Sequence, residues 1–574
     1  MTETTTYDVI VVGSGAGGMT AALRAFDQGL SVLLIEKSEL YGGTSAMSGG
    51  GIWIPNHGKP SSVQDCYDEA FTYMRGLVEP CVSDERIHTY LTKAPVMLRY
   101  LEAHTHARFD PQDSYCDYYP DRPGGKSGGR TLDPAPYDGA LLDDEMARLR
   151  PSHVQTVVMG RYTLTMAEAR KVFSKASGWM SLMLKVVAQY WLDWPQRRRS
   201  SRSRRLVLGN ALVGRLRHSM LDRNIPLWLN TALEELLYEA GRCTGVRVQK
   251  NGQPLTLMAR KGVILAAGGF ERNQAMRDQY LPQPSSIDWS AGNPANTGDA
   301  IRAGQKLGAH TDLMAHAWWG PAVKVEQEPL ARILFVEKSL PSLIFVNRDG
   351  KRFSNEAAPY QNYGASAYTG LEEEGNAVPA YAIFDSQYRK KYLFGPMLQS
   401  EVTPDALLPK HLKDNFYHKA DSLEALAATL GLPVQNLRQT VDRFNRMAKA
   451  GEDTDFHKGG NLHDQYYGDA SHSPNPCLGT LSKAPFYAVK VYPGDLGTKG
   501  GLLTDTHARV LHENGEVING LYAIGNCSAS VMGSTYPGAG STLGPAMTFG
   551  YLAANHLADC KQEEQLDPRE AMSA

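Results

Sequence analysis

The sequence predicts an α/β fold in which one nucleotide-binding domain is built from separated stretches of chain around an α+β insertion. Three observations predict it. A strand, a glycine loop, a helix and a second strand open the chain. Another apolar strand runs into Gly268-Gly269, and a third ends at Gly525-Asn526.

The opening unit is complete in its order. Tyr7 to Val12 (YDVIVV) is short, apolar and rich in β-branched residues, which suits a buried parallel strand. Gly13-Ser14-Gly15-Ala16-Gly17-Gly18 follows, then a helical pattern through Met19, Ala22, Leu23 and Ala25, closed by Gly29. Ser31 to Ile35 is the second strand, with Glu36 at its end, about twenty residues past the glycines. A lone G-x-G-x-x-G is a weak signal, but strand, helix, second strand and acidic end together point to a dinucleotide. Gly13 makes the tight turn, Gly15 admits the pyrophosphate and Gly18 lets helix and strand pack. The helix N-terminus offers free N–H groups and partial positive charge to phosphates. Glu36 is the expected acceptor for ribose hydroxyls.

Five glycines stand among Tyr41 to Gly51, a backbone that a flat cofactor can approach closely. Gly262 to Ala267 (GVILAA) is the strand ending at Gly268-Gly269, and Leu521-Tyr522-Ala523 the one ending at Gly525. These pieces complete one interrupted, Rossmann-type domain. Its first part is expected over 1–276 and its second over 488–574, with a polar tail from Cys560. Residues 277–487 then form the inserted domain, rich in turns such as Gly292-Asn293-Pro294 and Asn347-Arg348-Asp349-Gly350.

Composition excludes other classes. The 574 residues are 42% hydrophobic and 21% charged, so the chain is neither disordered nor collagen-like. A net charge of -2 gives no global reason to expect nucleic acid. The seven cysteines form no C-x-x-C pair, which argues against a zinc ribbon, an iron–sulfur cluster and a disulfide framework, and for a reducing, cytoplasmic location. No basic n-region precedes the first apolar run and no window reaches 18 uncharged apolar residues, so neither a signal peptide nor a transmembrane helix is expected. The 16 histidines include no H-x-x-x-H pair, so no metal site is expected, and the absence of G-x-S-x-G leaves out serine hydrolase chemistry.

Several motifs carry a family resemblance. The G-S-G-A-G-G-M loop, the G-G-T-S-A-x-S-G-G-G-I-W block, G-x-R-F-x-N-E at Gly350 to Glu356 and the late G-L-Y-A-x-G-N resemble the flavoproteins grouped around fumarate reductase and succinate dehydrogenase. Within that group, Asp117-Tyr118-Tyr119-Pro120, Asn355 to Tyr360 and Thr535 to Gly540 resemble bacterial 3-ketosteroid Δ1-dehydrogenases. The resemblance covers nearly the whole chain. It implies FAD as cofactor and loss of hydrogen from C1 and C2 of ring A, with the C1 hydride going to flavin N5.

The expected cofactor residues are Gly13, Gly15, Ala16, Gly17, Gly18, Glu36, Lys37, Gly42, Gly43, Thr44, Ser45, Ser48, Gly49, Gly50, Gly268, Gly269, Asp299, Gly525, Asn526 and Leu543. Asp299 reads equally well as an ordinary helix cap. Covalent attachment in some relatives uses a His near the glycine block, and positions 41–56 hold none, so noncovalent FAD is expected. The electron acceptor stays unknown.

Dehydrogenation beside a ketone needs a carbonyl polariser, a base and a hydride acceptor. Pro537 and Gly538 fit the second and third positions of a type II turn that folds Tyr536 toward Gly540, with a helix expected from Ser541 onward. A phenol O–H and the Gly540 N–H would then form an oxyanion hole for the enolate. From spacing alone, a helix entry with a packed Tyr is an equal reading; the resemblance favours the hole. By resemblance Tyr360 is the base, assisted by Tyr118, with Tyr119 as the open alternative. Fumarate-reducing relatives place an Arg where Tyr360 stands, which argues against a dicarboxylate. A Δ4-(5α)-dehydrogenase and a fumarate-type reductase remain the enzymatic alternatives, and a flavin-binding electron carrier or chaperone the non-enzymatic one.

One further segment draws notice. Arg197, Arg198, Arg199, Arg202, Arg204 and Arg205 follow the apolar, Trp-rich stretch from Trp179 to Trp194. The readings are a buried helix followed by a solvated basic loop, a weak membrane-surface patch, and, last, a nucleic-acid contact.

Overall fold

The structure, a computed structural model, describes residues 5–173, 177–373 and 377–558. The polar tail expected from Cys560 lies outside them.

Three apolar runs form the centre of the first sheet. β1 (Thr5–Val12) pairs in parallel with β2 (Val32–Ile35) on one side and with Gln253–Leu265 on the other. Val517–Ala523 extends the parallel set, with Leu265 opposite Ala523. The eight-stranded sheet is completed by antiparallel strands and by Leu227–Trp228 beside β2. Val9 to Val12, Val32 to Ile35 and Val263 to Leu265 are buried, which is why they read as continuous apolar runs rather than alternating ones. All these strands run the same way, so Gly13, Glu36, Ala266 to Gly269 and Gly525 collect at one carboxyl edge, where open α/β sheets hold ligands.

α1 (Ala16–Asp27) packs on the last described helix, Leu543–Leu557. A Cβ on Gly17 would stand 2.7 Å from the Ala546 carbonyl oxygen, and one on Gly550 would stand 2.7 Å from that of Gly17. The two backbones touch, so neither position has room for a side chain. A Cβ on Gly18 would lie 2.1 Å from the Gly13 oxygen, the close approach expected of that glycine.

A second sheet, six-stranded and antiparallel in its pairings, carries Ala317–Val323, Phe486–Thr498, Ala380–Asp385 and Leu343–Val346 at its centre. The boundary expected at 487 falls inside one of these strands. Phe486–Thr498 pairs along its length with Ala380–Asp385 and Ala317–Val323, so its hydrogen bonds hold 488–498 in the second sheet.

The Trp-rich segment departs from the buried-helix reading. Trp179–Leu192 is helical, yet only Val186 and Tyr190 are buried, against Tyr162 and Leu164. Leu184 is 70% exposed, Leu192 81% and Trp194 61%. No described helix is long and apolar enough to cross a membrane. The six described cysteines are free.

Candidate active site

Three tyrosines from three distant stretches meet in the core. Tyr118, Tyr360 and Tyr536 are 2%, 6% and 5% exposed. Their ring centroids lie 5.1 to 5.5 Å apart. The Tyr118 hydroxyl donates to that of Tyr360 at 3.1 Å. Tyr119 points elsewhere, its hydroxyl donating to Asn362 Oδ1 at 2.6 Å, so geometry selects Tyr118 as the phenol beside Tyr360. The Tyr536 hydroxyl lies 3.1 Å from Thr542 Oγ1.

Local structure explains each placement. The Tyr118 backbone N–H donates to the Pro537 carbonyl at 2.9 Å, and the Tyr73 hydroxyl donates to the same oxygen at 2.7 Å. That shared carbonyl locks Tyr118 against the turn carrying Tyr536. Preceding it, Asp117 accepts from Trp53 Nε1 at 2.8 Å and from Arg130 at 2.8 Å, and Arg130 also grips Asp65 at 2.6 Å. Burial pushes the Asp117 carboxyl up to about 6 although Arg130 opposes it. Arg130→Met is expected to lower unfolding free energy by about 3–5 kcal/mol, because it leaves the buried Asp117 carboxylate without its cation. A urea midpoint equal to the parent's would show the pair to be dispensable.

Tyr360 sits on a loop held from both sides. Arg352 pairs with Glu356 and Asp453, each at 2.8 Å, which gives the G-x-R-F-x-N-E motif its structural meaning. Lys338, buried and lowered by burial to about 8, donates to the carbonyls of Ala357 at 3.0 Å and Ala358 at 2.6 Å. Gln361 donates to the carbonyls of Ala317 and Ser534, both at 3.1 Å, tying this loop to the one bearing Tyr536.

The turn at Tyr536 differs from the expected type II turn over Pro537-Gly538. Gly540, not Gly538, has left-handed φ, at +100°, and Ser541 N–H donates to the Gly538 carbonyl at 3.1 Å. Gly538 is needed for room instead: a Cβ there would stand 2.5 Å from the Trp53 ring. The helix starts at Leu543, later than expected, so Gly540 lies just before its first turn. The Gly540 N–H faces the Tyr536 oxygen and lowers that phenol's pKa, but burial outweighs it and raises the group overall.

The sequence alone did not single out Trp318, Lys499, Phe335 and His463. Trp318 packs edge-on against Tyr536, with centroids 4.7 Å apart. Lys499 Nζ lies 4.0 Å over the Trp318 ring and donates to the carbonyls of Gly533 and Thr535. Phe335 meets Tyr360, and His463 meets Tyr118, each with centroids 5.1 Å apart. A lone Lys or Phe carries no spacing signal, so no motif scan would have found them.

The glycine ends form one continuous cradle. Gly13 has φ +111°, and a Cβ there would stand 2.4 Å from the Ala266 oxygen. Gly15 caps α1 without a side chain. Ala16 N–H donates to Ser45 Oγ at 3.1 Å and Gly42 N–H to Ser14 Oγ at 2.9 Å. Glu36 accepts from Ser14 Oγ at 2.6 Å and Ser38 N–H at 3.0 Å. Thr44 Oγ1 accepts from Asn293 N–H and Asn296 Nδ2, both at 3.1 Å. Ser48 Oγ accepts from Gly50 N–H at 3.0 Å. At the other ends, Cys527 Sγ accepts from Ala267 N–H at 2.9 Å and lies 3.2 Å from the Gly268 oxygen, while Asn526 Oδ1 accepts from Trp318 Nε1 at 3.1 Å. Lys37 and Asp299 pair with each other at 2.5 Å, and Asp299 is the first helical residue after the cap Gly298 rather than the cap.

This cradle fits a large dinucleotide. A Cβ at Gly49 would meet nothing within 4 Å, and at Gly43 only Asn293 Nδ2 at 3.9 Å, so the backbone borders open space. Glu271 Oε2, beside Gly269, is buried with no hydrogen-bond partner among the described residues, and burial pushes that carboxyl up to about 7. His57, just past the glycine block, has both ring nitrogens engaged, by the Gly129 carbonyl at 2.8 Å and by Lys59 N–H at 3.0 Å.

Comparison with known proteins agrees with this reading of the cradle. The FAD binding domain family matches residues 8–543. A 3-oxosteroid 1-dehydrogenase of Mycobacterium tuberculosis is 42% identical over 96% of this chain and 98% of its own. The crystal structure of 3-ketosteroid Δ1-dehydrogenase from Sterolibacterium denitrificans, in complex with 1,4-androstadiene-3,17-dione, superposes with a TM-score of 0.95 at 50% identity, covering 97% of this chain and all of that one. A 3-ketosteroid-Δ4-(5α)-dehydrogenase from Rhodococcus jostii shares the fold, with a TM-score of 0.64 at 20% identity, covering 97% and 98%.

Proposed function

The chain belongs to the FAD-binding-domain flavoproteins and, within them, to the 3-oxosteroid 1-dehydrogenases, and from that premise we propose how its tyrosines desaturate ring A of a 3-ketosteroid between C1 and C2. It is an FAD-dependent oxidoreductase. The observation that carries the mechanism is the buried meeting of Tyr360, Tyr118 and Tyr536 beside the Gly540 N–H.

The ketone oxygen takes hydrogen bonds from the Tyr536 hydroxyl and the Gly540 N–H. These donors strengthen as the oxygen gains enolate charge, which is why they speed the reaction rather than merely bind substrate. Polarisation acidifies C2, and Tyr360 accepts the proton leaving it. The Tyr118 hydroxyl, donating to Tyr360, stabilises the phenolate that does this work. FAD, when bound in the glycine cradle, supplies the acceptor for the C1 hydride. The first turn of α1, from Gly15 to Gly18, would hold its phosphates, and Glu36 would keep a lone pair for a ribose. Noncovalent binding is supported by the lack of histidines at positions 41–56 and by the engaged ring of His57 just past them.

The domain reading goes with this. Residues up to 276 and after Thr498 hold the cofactor, the segment between forms the substrate side, and the tyrosines sit where the two meet.

Burial holds the Tyr360 hydroxyl well above its ordinary value of 10.0. The phenolate is the active form, so its fraction rises about tenfold per pH unit below that pKa. The rate of flavin reduction is expected to climb through neutral and alkaline pH without levelling below about pH 10. Stopped-flow reduction across pH checks it; a flat profile would mean that proton removal is not limiting. Tyr118→Phe is expected to slow the step at every pH.

Anaerobic mixing with androst-4-ene-3,17-dione tests the function, with bleaching of flavin absorbance expected. That steroid already carries the C4–C5 double bond, so a Δ4-(5α)-dehydrogenase or a carrier protein would leave the flavin oxidised.

A membrane-surface contact also fits the substrate, which partitions into lipid. Met180, Leu184, Trp191, Leu192 and Trp194 are exposed on or beside one helix, next to exposed Arg198 and Arg199. The charge is thinner than the sequence suggested. Arg202 donates to the carbonyls of Met146 and Leu149, and Arg205 pairs with Glu168 at 2.8 Å. Apolar burial then outweighs the electrostatic part, about 1 kcal/mol per free arginine. Vesicle sedimentation is expected to recover the protein with anionic lipid, only partly reversed by salt. No binding to any lipid would remove this surface from the reading. The six free cysteines fit the cytoplasmic side.

A further inference from the structure

We propose that His106, His218 and Asp222 form a binding site for a divalent cation of the Zn2+ class, separate from the tyrosine cluster. No metal site is expected from the sequence, because no two histidines stand one helical turn apart. The folded chain gathers the ligands differently. Helix Leu208–Asp222 supplies His218 and Asp222, four residues apart and so on one face. His106 arrives from the turn after helix Asp84–His104. Their ligand atoms all lie within 4.8 Å of one another.

The details suit a cation. His106 Nε2 is 2.6 Å from Asp222 Oδ2, and His218 Nε2 is 3.7 Å from Asp222 Oδ1. Both Nε2 atoms therefore face one carboxylate. The other nitrogen of His218, Nδ1, lies 2.6 Å from the Tyr137 hydroxyl. With its proton on Nδ1, donated to that phenol, His218 leaves the Nε2 lone pair for a metal. This is the outer hydrogen bond that metal-binding histidines characteristically make.

The imidazoles stack with centroids 4.0 Å apart and an interplanar angle of 10°. A cation replaces the proton shared by His106 and Asp222 and requires the rings to turn so that their lone pairs converge. Side-chain exposures of 41% for His106 and 49% for Asp222 leave room for that turn and for a water in the fourth position. Two nitrogens and one carboxylate select Zn2+ over Mg2+ or Ca2+. At the far end of the same helix, about 14 Å along its axis, Gly209 N–H donates to the Ser48 carbonyl at 3.0 Å. The cation is thus expected to clamp the helix that backs the glycine block.

The test is calorimetric titration of the untagged, FAD-loaded, EDTA-treated enzyme with Zn2+. One equivalent is expected to bind with a micromolar dissociation constant and to raise the thermal midpoint, while Mg2+ gives neither effect. His106→Ala and His218→Ala should each weaken binding tenfold or more, and Tyr137→Phe about tenfold. Asp222→Asn serves as the conservative variant, and flavin content confirms that each protein is folded. The proposal is overturned if the parent shows no saturable Zn2+ binding, or if binding survives unchanged in the His106→Ala/His218→Ala double variant.

Discussion

Tyr360→Phe is expected to lower steroid-driven flavin reduction by about 10^3- to 10^4-fold, the upper part of the range for general bases. A phenyl ring keeps the packing against Phe335 and Tyr536 but cannot accept a proton. The variant should therefore fold, hold FAD and bind steroid with similar affinity. Its cost to stability is small, because the ring stays packed and only hydroxyl contacts with Tyr118 and Tyr536 are lost, about 1 kcal/mol each. Two measurements decide the matter: single-turnover reduction and flavin content after gel filtration. Loss of flavin would make Tyr360 a structural residue. A rate within tenfold of the parent's would move the base elsewhere, and Tyr118, one hydrogen bond away, would be examined first.

Tyr536→Phe should lose turnover by about 10^2- to 10^3-fold, equivalent to roughly 3–4 kcal/mol of transition-state stabilisation. The effect belongs to kcat because the donor acts on charge that develops only as the enolate forms. The Gly540 N–H remains, which is why activity falls without vanishing. The ring's contacts with Trp318 and Tyr118 also remain, so affinity should change little. An unchanged kcat would exclude Tyr536 from carbonyl activation. A raised KM with unchanged kcat would reduce it to a binding contact.

The two substitutions bear on different halves of one geometry. Removing the base stops proton transfer, whereas removing one donor leaves the enolate half supported. Combining them should give less than the product of the single effects, because donor and base act on the same step.

Much of this architecture could be read from local signals. The unit β1–α1–β2 was legible because a buried parallel strand must be apolar throughout and because Gly13 occupies a backbone conformation closed to other residues. The late strand ending at Gly525 was legible for the same reason. The position of the tight turn beside Tyr536 was less so. Glycines at 538 and 540 look alike in sequence, yet one answers to the Trp53 ring and the other to a left-handed φ. The Trp-rich helix was misjudged on the buried-helix reading because apolar periodicity reports what a helix is able to bury, not whether a partner arrives to cover it.

The sequence by itself determined the α/β class and the glycine cradle, which rest on local backbone demands, and its family motifs, contiguous in the chain, pointed to Tyr360, Tyr536 and Gly540 as the groups the proposed mechanism uses. The tertiary structure alone decided that Tyr118 rather than Tyr119 faces Tyr360. That choice depends on a hydrogen bond from Tyr118 N–H to the Pro537 carbonyl, between residues more than four hundred positions apart. It also decided that Lys338, Gln361 and Lys499 hold the loops of the site, and that His106 meets His218 and Asp222. Such pairings arise where strands and helices pack across the whole chain, and no spacing along the sequence encodes them.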